Sequence, residues 1–271
     1  MELNFLLACK RNVDYMKVKF IILFKVVLEY KINFYMALIN NVSSVLVQAI
    51  ILSILYLQFK TLIGWEFEAY VFFILILNFM FRLTGAFWFS SGLKKELIRG
   101  NINDYLTKPT NVFIQYLFNN MPIQAFMVSS IYFTGLILFV VYYFDILSMF
   151  RLFLLIPFLL LSGLFTILVF RFLDSLAFFI KENYFLIHGF RSINLIYTSY
   201  PVNMFDNVIK KIGYFFGIVY FGAYATEFLF FKIDIYEFYL LHLILLILIF
   251  LSCLFLYGSW KFGLRKYEAF G

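Results

Sequence analysis

Residues 238–260 read FYLLHLILLILIFLSCLFLYGSW, a run of 23 residues without Asp, Glu, Lys or Arg. An α-helix rises about 1.5 Å per residue, so about 20 apolar residues cross the roughly 30 Å hydrocarbon core of a bilayer. A charged side chain at the bilayer centre costs about 2.5 to 3.5 kcal/mol, and long uncharged runs therefore mark membrane spans. This run predicts a transmembrane helix.

Four more such runs lie along the chain, with Arg82 as the single interruption: 32–59, 69–93, 109–144 and 152–170. The third run, of 36 residues, is too long for one span, so its first part is expected to lie along the interface before Pro122. Residues 182–236 are less regular and predict a short fifth span followed by a re-entrant hairpin at 206–232. The predicted fold is an all-α polytopic membrane protein with about six transmembrane helices.

The composition excludes an ordinary water-soluble enzyme, because 64% of the residues are hydrophobic and only 14% are charged. We interpret the net charge of +7 as a consequence of membrane topology, with Lys and Arg concentrated on one side of the membrane, and not as a sign of nucleic-acid binding. In a six-span arrangement one side carries 14 Lys and Arg residues and the other carries 5. The positive-inside rule then places both termini in the cytoplasm. We expect neither a disulfide between Cys9 and Cys253 nor a cleaved signal peptide.

Residues 1–31 are too charged to span a membrane, yet they carry one apolar helical face. This face comprises Val13, Met16, Phe20, Phe24 and Val27. The pattern predicts an amphipathic helix in the headgroup plane, with its cations toward anionic lipid, acting as a surface anchor or as an elbow for the first span. Residues 32–262 would then form the transmembrane domain and 263–271 a cytoplasmic tail.

The loop between spans two and three, residues 93–109, predicts a short helix that ends at Gly100. Leu93, Leu97 and Ile98 recur at i, i+4 and i+5 beside charged residues. The composition alone fits a solvated connector and a docking surface for a soluble partner equally well.

Residues 98–109 of this loop read IRGNINDYLTKP, and their position between two spans resembles the cytoplasmic loop of a known family. That family is the permease subunits of bacterial ABC transporters of the type-2 exporter class. Gly64-Trp65, Tyr200-Pro201 and residues 263–267 are similar to it in order and spacing.

The resemblance implies a permease of the bacterial inner membrane in which two permease subunits pair and substrate leaves between them. It also implies that the loop is a coupling helix in a cleft of a separate ATPase subunit. The residues assigned to this coupling helix are Leu93, Lys94, Lys95, Leu97, Ile98, Arg99, Gly100, Ile102 and Asp104.

Motifs for chemistry are missing from this sequence. It has no G-x-x-x-x-G-K-[ST] loop for nucleotide phosphates, and His188 and His242 have no ligand spacing for a metal. We therefore expect a transport subunit that is not itself an enzyme and binds no cofactor. ATP and Mg would be used by the partner ATPase.

Polar residues at membrane depth usually face a bundle interior or a cavity. Those assigned to a possible translocation path are Arg82, Asn40, Gln48 and Glu227. For each a structural role stays open: an ion pair for Arg82, interhelical hydrogen bonds for Asn40 and Gln48, and an exposed turn for Glu227.

Other polar residues have structural interpretations. Arg171 and Asp174 are expected to pair with each other. Arg191 is expected to reach a lipid headgroup, and His242 to be a packing residue.

Two other functions compete with an ATP-driven permease. A stand-alone secondary transporter or channel would often show inverted repeats, which this sequence lacks. An intramembrane enzyme is disfavoured because no nucleophile or metalloprotease motif is present.

Overall fold

The computed structural model describes residues 2–58, 65–88, 92–119, 121–143, 146–180, 183–199, 205–230 and 232–267. Within these ranges the chain is helical and has no β-strand, which confirms the predicted all-α class. The helices are α1 Glu2–Glu29, α2 Lys31–Gln58, α3 Phe67–Trp88, α4 Leu93–Ile98, α5 Asn101–Leu106, α6 Val112–Asn119, α7 Ile123–Tyr143, α8 Ile146–Ser175, α9 Tyr184–Ser199, α10 Asn207–Gly213, α11 Gly217–Leu229 and α12 Ile235–Lys266.

Five helices in the described part are long and apolar enough to cross a membrane, namely α2, α3, α7, α8 and α12. The pair α10 and α11, bent by 99°, gives a sixth if it is one broken span. This agrees with the predicted number of about six. Helix α9 has 16 residues, which at about 1.5 Å per residue is about 24 Å. It is thus shorter than a hydrocarbon core.

The bent pair occupies the residues for which a re-entrant hairpin is predicted. Its second helix contains a π-helical segment, Tyr220–Tyr224, and begins where Gly217 lies against α8. The Tyr197 hydroxyl of α9 donates to the carbonyl oxygen of Ile209 in α10 at 2.8 Å. Whether the pair crosses the membrane or returns to the same side stays a prediction.

The hydrophobic core lies between α3, α7, α8, α11 and α12. It is rich in aromatic side chains, among them Phe72, Phe73, Phe158, Tyr220 and Phe238, each at most 1% exposed. Helix α2 stands at the edge of this bundle, since only 11% of its apolar window is buried. Most of α2 is therefore available to lipid or to a second subunit.

The two ends of the bundle differ in structure. At one end α4, α5 and α6 pack against the last turns of α8 and α12, and this is called the coupling end below. At the other end the guanidinium of Arg151 donates to the carbonyl oxygen of Phe228 in α11. Helix α6 ends before Pro122, so the long third run does contain a separate helix ahead of its span.

Helix α1 continues almost directly into α2 through Tyr30, whose amide bonds Val26 at 3.0 Å. The predicted apolar face is only partly the face that packs. Met16 and Val27 are at least half-buried, whereas Val13, Phe20 and Phe24 are about 40% exposed. The helix rests on α6 and α7 mainly with a neighbouring stripe, and the Phe20 ring also contacts Phe126 of α7. The exposed parts of these three side chains remain for a bilayer to cover.

Candidate coupling site and intramembrane cavity

Two glycines give the coupling segment, residues 93–109, its shape. Gly92 precedes α4 with φ of 77°, and Gly100 separates α4 from α5 with φ of 73°. These left-handed conformations cost side-chain-bearing residues free energy, so glycine suits both positions. The prediction that the first helix ends at Gly100 is confirmed, and the segment is two short helices instead of one.

One side of the segment is buried in the protein itself. Leu93, Leu97, Ile102 and Tyr105 are at most 7% exposed and form a cluster with Tyr116 of α6. The aromatic ring of Trp260 in α12 stacks on Tyr116, with ring centroids 5.8 Å apart. Burying a large apolar side chain contributes roughly 1.5 to 3 kcal/mol. This cluster therefore fastens the segment to α6 and α12.

Asp174, at the end of α8, fastens the beginning of α4. Its carboxylate accepts a hydrogen bond from the Leu93 amide at 3.0 Å and another from the Tyr116 hydroxyl. The same carboxylate forms the predicted ion pair with Arg171, at 3.4 Å. The Arg171 guanidinium also lies over the Tyr116 ring, 5.0 Å from its centroid. One carboxylate thus links α4, α6 and α8.

Glu96 lies inside the segment and holds α4 and α5 together. Although charged, it is 4% exposed, and its Oε2 accepts from Asn101 Nδ2 at 3.1 Å and from the Tyr105 hydroxyl at 2.9 Å. Asn119 Nδ2 donates to the same hydroxyl at 2.8 Å. Burial, together with the hydrogen bond to Glu96, raises the pKa of Tyr105 to about 12. Glu96 was not among the predicted residues, because charge alone does not mark a buried position.

The opposite side of the segment is exposed. It carries Lys95, Ile98, Arg99, Asp104 and Leu106, with the Ile98 side chain 63% and the Leu106 side chain 52% exposed. Together these five residues are called the coupling face below.

The predicted coupling residues divide between the two sides. Leu93, Leu97 and Ile102 are buried anchors within the chain, so these three side chains are not part of the exposed surface of the segment. Lys94 and Gly100 are half-buried between the two groups.

A cavity of about 390 Å³ lies between α2, α3 and α9. Of the residues predicted for a translocation path, Arg82 and Gln48 line it. Asn40 is exposed on α2 and does not line it. Glu227 is buried, 3% exposed, in α11 and is likewise not part of its lining. Sequence reasoning missed Asn78, which lies one helical turn from Arg82 on the same face of α3.

Polar and apolar side chains are separated along this cavity. Gln48, Asn78 and Arg82 lie toward the coupling end, whereas Leu55 and Tyr70 lie toward the opposite end. The register follows from the Tyr56 hydroxyl of α2, which donates to the carbonyl oxygen of Trp65, just before α3, at 3.0 Å. Gln48, Asn78 and Arg82 thus lie on the coupling-end side of Leu55 and Tyr70, among apolar lining residues.

The predicted role of His242 can be compared with the structure. His242 Nδ1 lies 3.0 Å from the Phe238 carbonyl oxygen, and its ring packs on Phe158, as expected for a packing residue. Gly64, Tyr200 and Pro201, which contributed to the family resemblance, lie outside the described residues. Among the described residues no group of His, Cys, Asp and Glu is arranged to hold a metal ion.

The helices define the general class of this protein, a multi-pass membrane protein with a structured loop at one end of the helix bundle. The sequence matches the family described as ABC-2 family transporter protein over residues 42–271, and the chain belongs to that family. Comparison with curated proteins and with solved structures finds no match. The chain is therefore the membrane component of an ABC-type transporter.

Proposed function

We propose that this chain is the permease subunit of an ATP-driven exporter in a bacterial cell membrane and works as a dimer. ATP hydrolysis takes place in a separate ATPase subunit, which uses ATP and Mg and contacts the permease through the coupling face. Family membership supports the transport role. The observation that carries the coupling role is the coupling segment itself, which is anchored on one side and exposed on the other.

The anchoring supports a mechanical role for the segment. A solvated connector needs no buried side chains, whereas this one buries Leu93, Leu97 and Ile102 and binds Asp174. A force applied to the coupling face would therefore reach α8 and the end of α12. The packing thus favours α8 and α12 as the spans that move with the coupling segment.

The exposed side supports a protein partner. Ile98 and Leu106 present apolar surface beside Lys95, Arg99 and Asp104, the mixture expected at the rim and centre of a protein interface. Because the segment is rigidly held, docking would cost little conformational entropy.

The orientation can be tested first. Lys95→Cys at the coupling face and Tyr236→Cys at the opposite end are both exposed, and Cys9 and Cys253 would be replaced by Ser. A membrane-impermeant maleimide added to intact cells is expected to label position 236 and not position 95. Labelling of position 95 from outside would contradict the proposal that the coupling face and both termini are cytoplasmic.

The coupling role is tested by site-specific photocrosslinking. A photoreactive amino acid at Ile98 is expected to link the full-length permease to a P-loop ATPase in native membranes. The control position is Leu243, a 60% exposed side chain in the first half of α12, and should give no such product. Equal products from both positions, or none from Ile98, would contradict the proposal.

A functional measurement complements the crosslink. Lys95→Glu combined with Arg99→Glu changes only exposed charges, so the thermal stability of the chain should stay within about 0.5 kcal/mol of wild type. Substrate-stimulated ATPase activity and export should fall together. Export that continues after ATP depletion but stops when the ion gradient collapses would favour a secondary transporter.

A further inference from the structure

The cavity between α2, α3 and α9 contains a cation without a counterion. Arg82 has no carboxylate within ion-pair distance in the described part of the chain, where the ion pair found is Arg171 with Asp174. The Arg82 Nε is buried and has no hydrogen-bond acceptor among these residues. Its guanidinium lies over the Tyr132 ring, 5.7 Å from the centroid, which offsets only part of the lost hydration. Arg82 is half-buried; arginine keeps its charge in proteins, and a charged group at membrane depth is normally paired or faces a polar cavity.

In a second copy of the chain, the carboxylates of the described spans lie at span ends or are already bound or buried. No Asp or Glu occurs in residues 31–57, 69–95, 105–144, 146–173, 183–205 or 238–267. Two other carboxylates, those of Asp174 and Glu227, lie within or near the membrane-spanning region. Asp174 is bound by Leu93, Tyr116 and Arg171, and Glu227 is buried in its own subunit. In a homodimer the anion that pairs with Arg82 would therefore come from a ligand.

The shape and polarity of the cavity describe that ligand. A volume of about 390 Å³ is within the usual range for small-molecule sites. Arg82 lies six residues before Trp88, the last residue of α3, which is about 9 Å along the helix. Because Trp88 is at the coupling end, Arg82 lies close to the lipid headgroups on that side. Asn78 lies one helical turn away on α3, Gln48 lines the same cavity from α2, and most of the other lining side chains are apolar.

We propose that this cavity binds an anionic amphiphile, with its carboxylate or phosphate beside Arg82 and its apolar part toward Leu55 and Tyr70. As a substrate site it rests on the proposed transport function. As a binding site it can be tested without any ATPase, so the two proposals can fail separately.

The binding test uses the full chain in phosphatidylcholine nanodiscs. The probe is a dodecyl chain with a photoreactive diazirine and a terminal carboxylate, and the matched probe carries a primary amide in place of the carboxylate. We expect the carboxylate probe to bind about tenfold to hundredfold more tightly, as for a hydrogen-bonded charge pair. Its crosslinks should map to cavity residues such as Leu52 and Leu77. Equal affinities of the two probes, or crosslinks elsewhere, would overturn the proposal.

Variants assign the preference to Arg82. Arg82→Gln should remove the preference for the carboxylate, and Arg82→Lys should keep part of it. Arg99→Gln, which removes a cation from the coupling face, should keep all of it. A preference that survives Arg82→Gln overturns the proposal. If Arg82→Gln does not fold, Leu52→Trp in α2 provides a second test, because the larger side chain fills the cavity. Undiminished binding of both probes to Leu52→Trp would also overturn the proposal.

The source of the anion is resolved by a change of lipid. Phosphatidylglycerol in the nanodiscs should weaken probe binding if a lipid headgroup occupies the site. Unchanged binding would indicate an amphiphile that differs from the bulk lipids. Both results support an anionic amphiphile, and they separate its two sources.

Discussion

Replacing Asp174 by Asn tests how the coupling segment is held. Asn keeps the size of the side chain but removes the charge that accepts from the Leu93 amide and pairs with Arg171. Hydrogen bonds to charged groups contribute about 1.5 to 3 kcal/mol. We therefore expect local opening of residues 93–106 to become about 2 kcal/mol easier, which corresponds to about 30-fold faster amide exchange.

The measurement is hydrogen–deuterium exchange with mass spectrometry on the full chain in nanodiscs. Peptides covering 92–106 report local opening, and peptides from the middle of α12 report global unfolding. Asp104→Asn is the matched control, since it removes an exposed carboxylate from the same segment. Unchanged exchange in 92–106, or the same acceleration in Asp104→Asn, would refute the reasoning. Equal acceleration in α12 would show that Asp174 does not act locally.

Two further substitutions follow from the geometry. In Gly217→Ala the new Cβ would meet Thr166 and come within 2.9 Å of the Ser162 carbonyl oxygen, so thermal unfolding should show a loss of about 1 to 3 kcal/mol. Gly189→Ala, with open space around the Cβ, should cause no loss, and a similar loss there would contradict the packing argument. The raised pKa of Tyr105, about 12 against an ordinary 10, means that the folded state keeps a proton that the unfolded state loses. Its contribution to stability is full below about pH 10 and declines from there to about pH 12, so wild type should lose thermal stability relative to Tyr105→Phe over that range. A constant difference between the two proteins would count against this.

The spans could be predicted because one physical cost dominates them. Charges are expensive in hydrocarbon, so uncharged runs of 19 or more residues, such as 238–260, coincide with the long helices. The break between α10 and α11 has no comparable signal, because it depends on how Gly217 approaches α8. The apolar residues of α4 show the same limit, since periodicity does not reveal whether a face binds its own chain or a partner.

The contacts of the candidate sites could likewise be predicted only where the two residues are close in sequence. The ion pair of Arg171 with Asp174 is local, at i and i+3, and could be predicted. The bonds of Asp174 to Leu93 and Tyr116 connect residues 81 and 58 positions apart and could not. In α2, Asn40 points outward whereas Asn41 is buried, because one position turns a helix by about 100°.

The weak attachment of α2 has a mechanical consequence. The coupling segment is joined to α8 and α12, while α2 supplies one wall of the cavity and is barely held by the rest of the bundle. The proposed ATPase contact and the proposed ligand cavity thus lie in different parts of the chain. The first is fixed to the packed helices α8 and α12, and the second is bounded on one side by the weakly packed α2. A change of ligand preference would require substitutions at the cavity-lining positions of α2 and α3, with the coupling segment left unchanged.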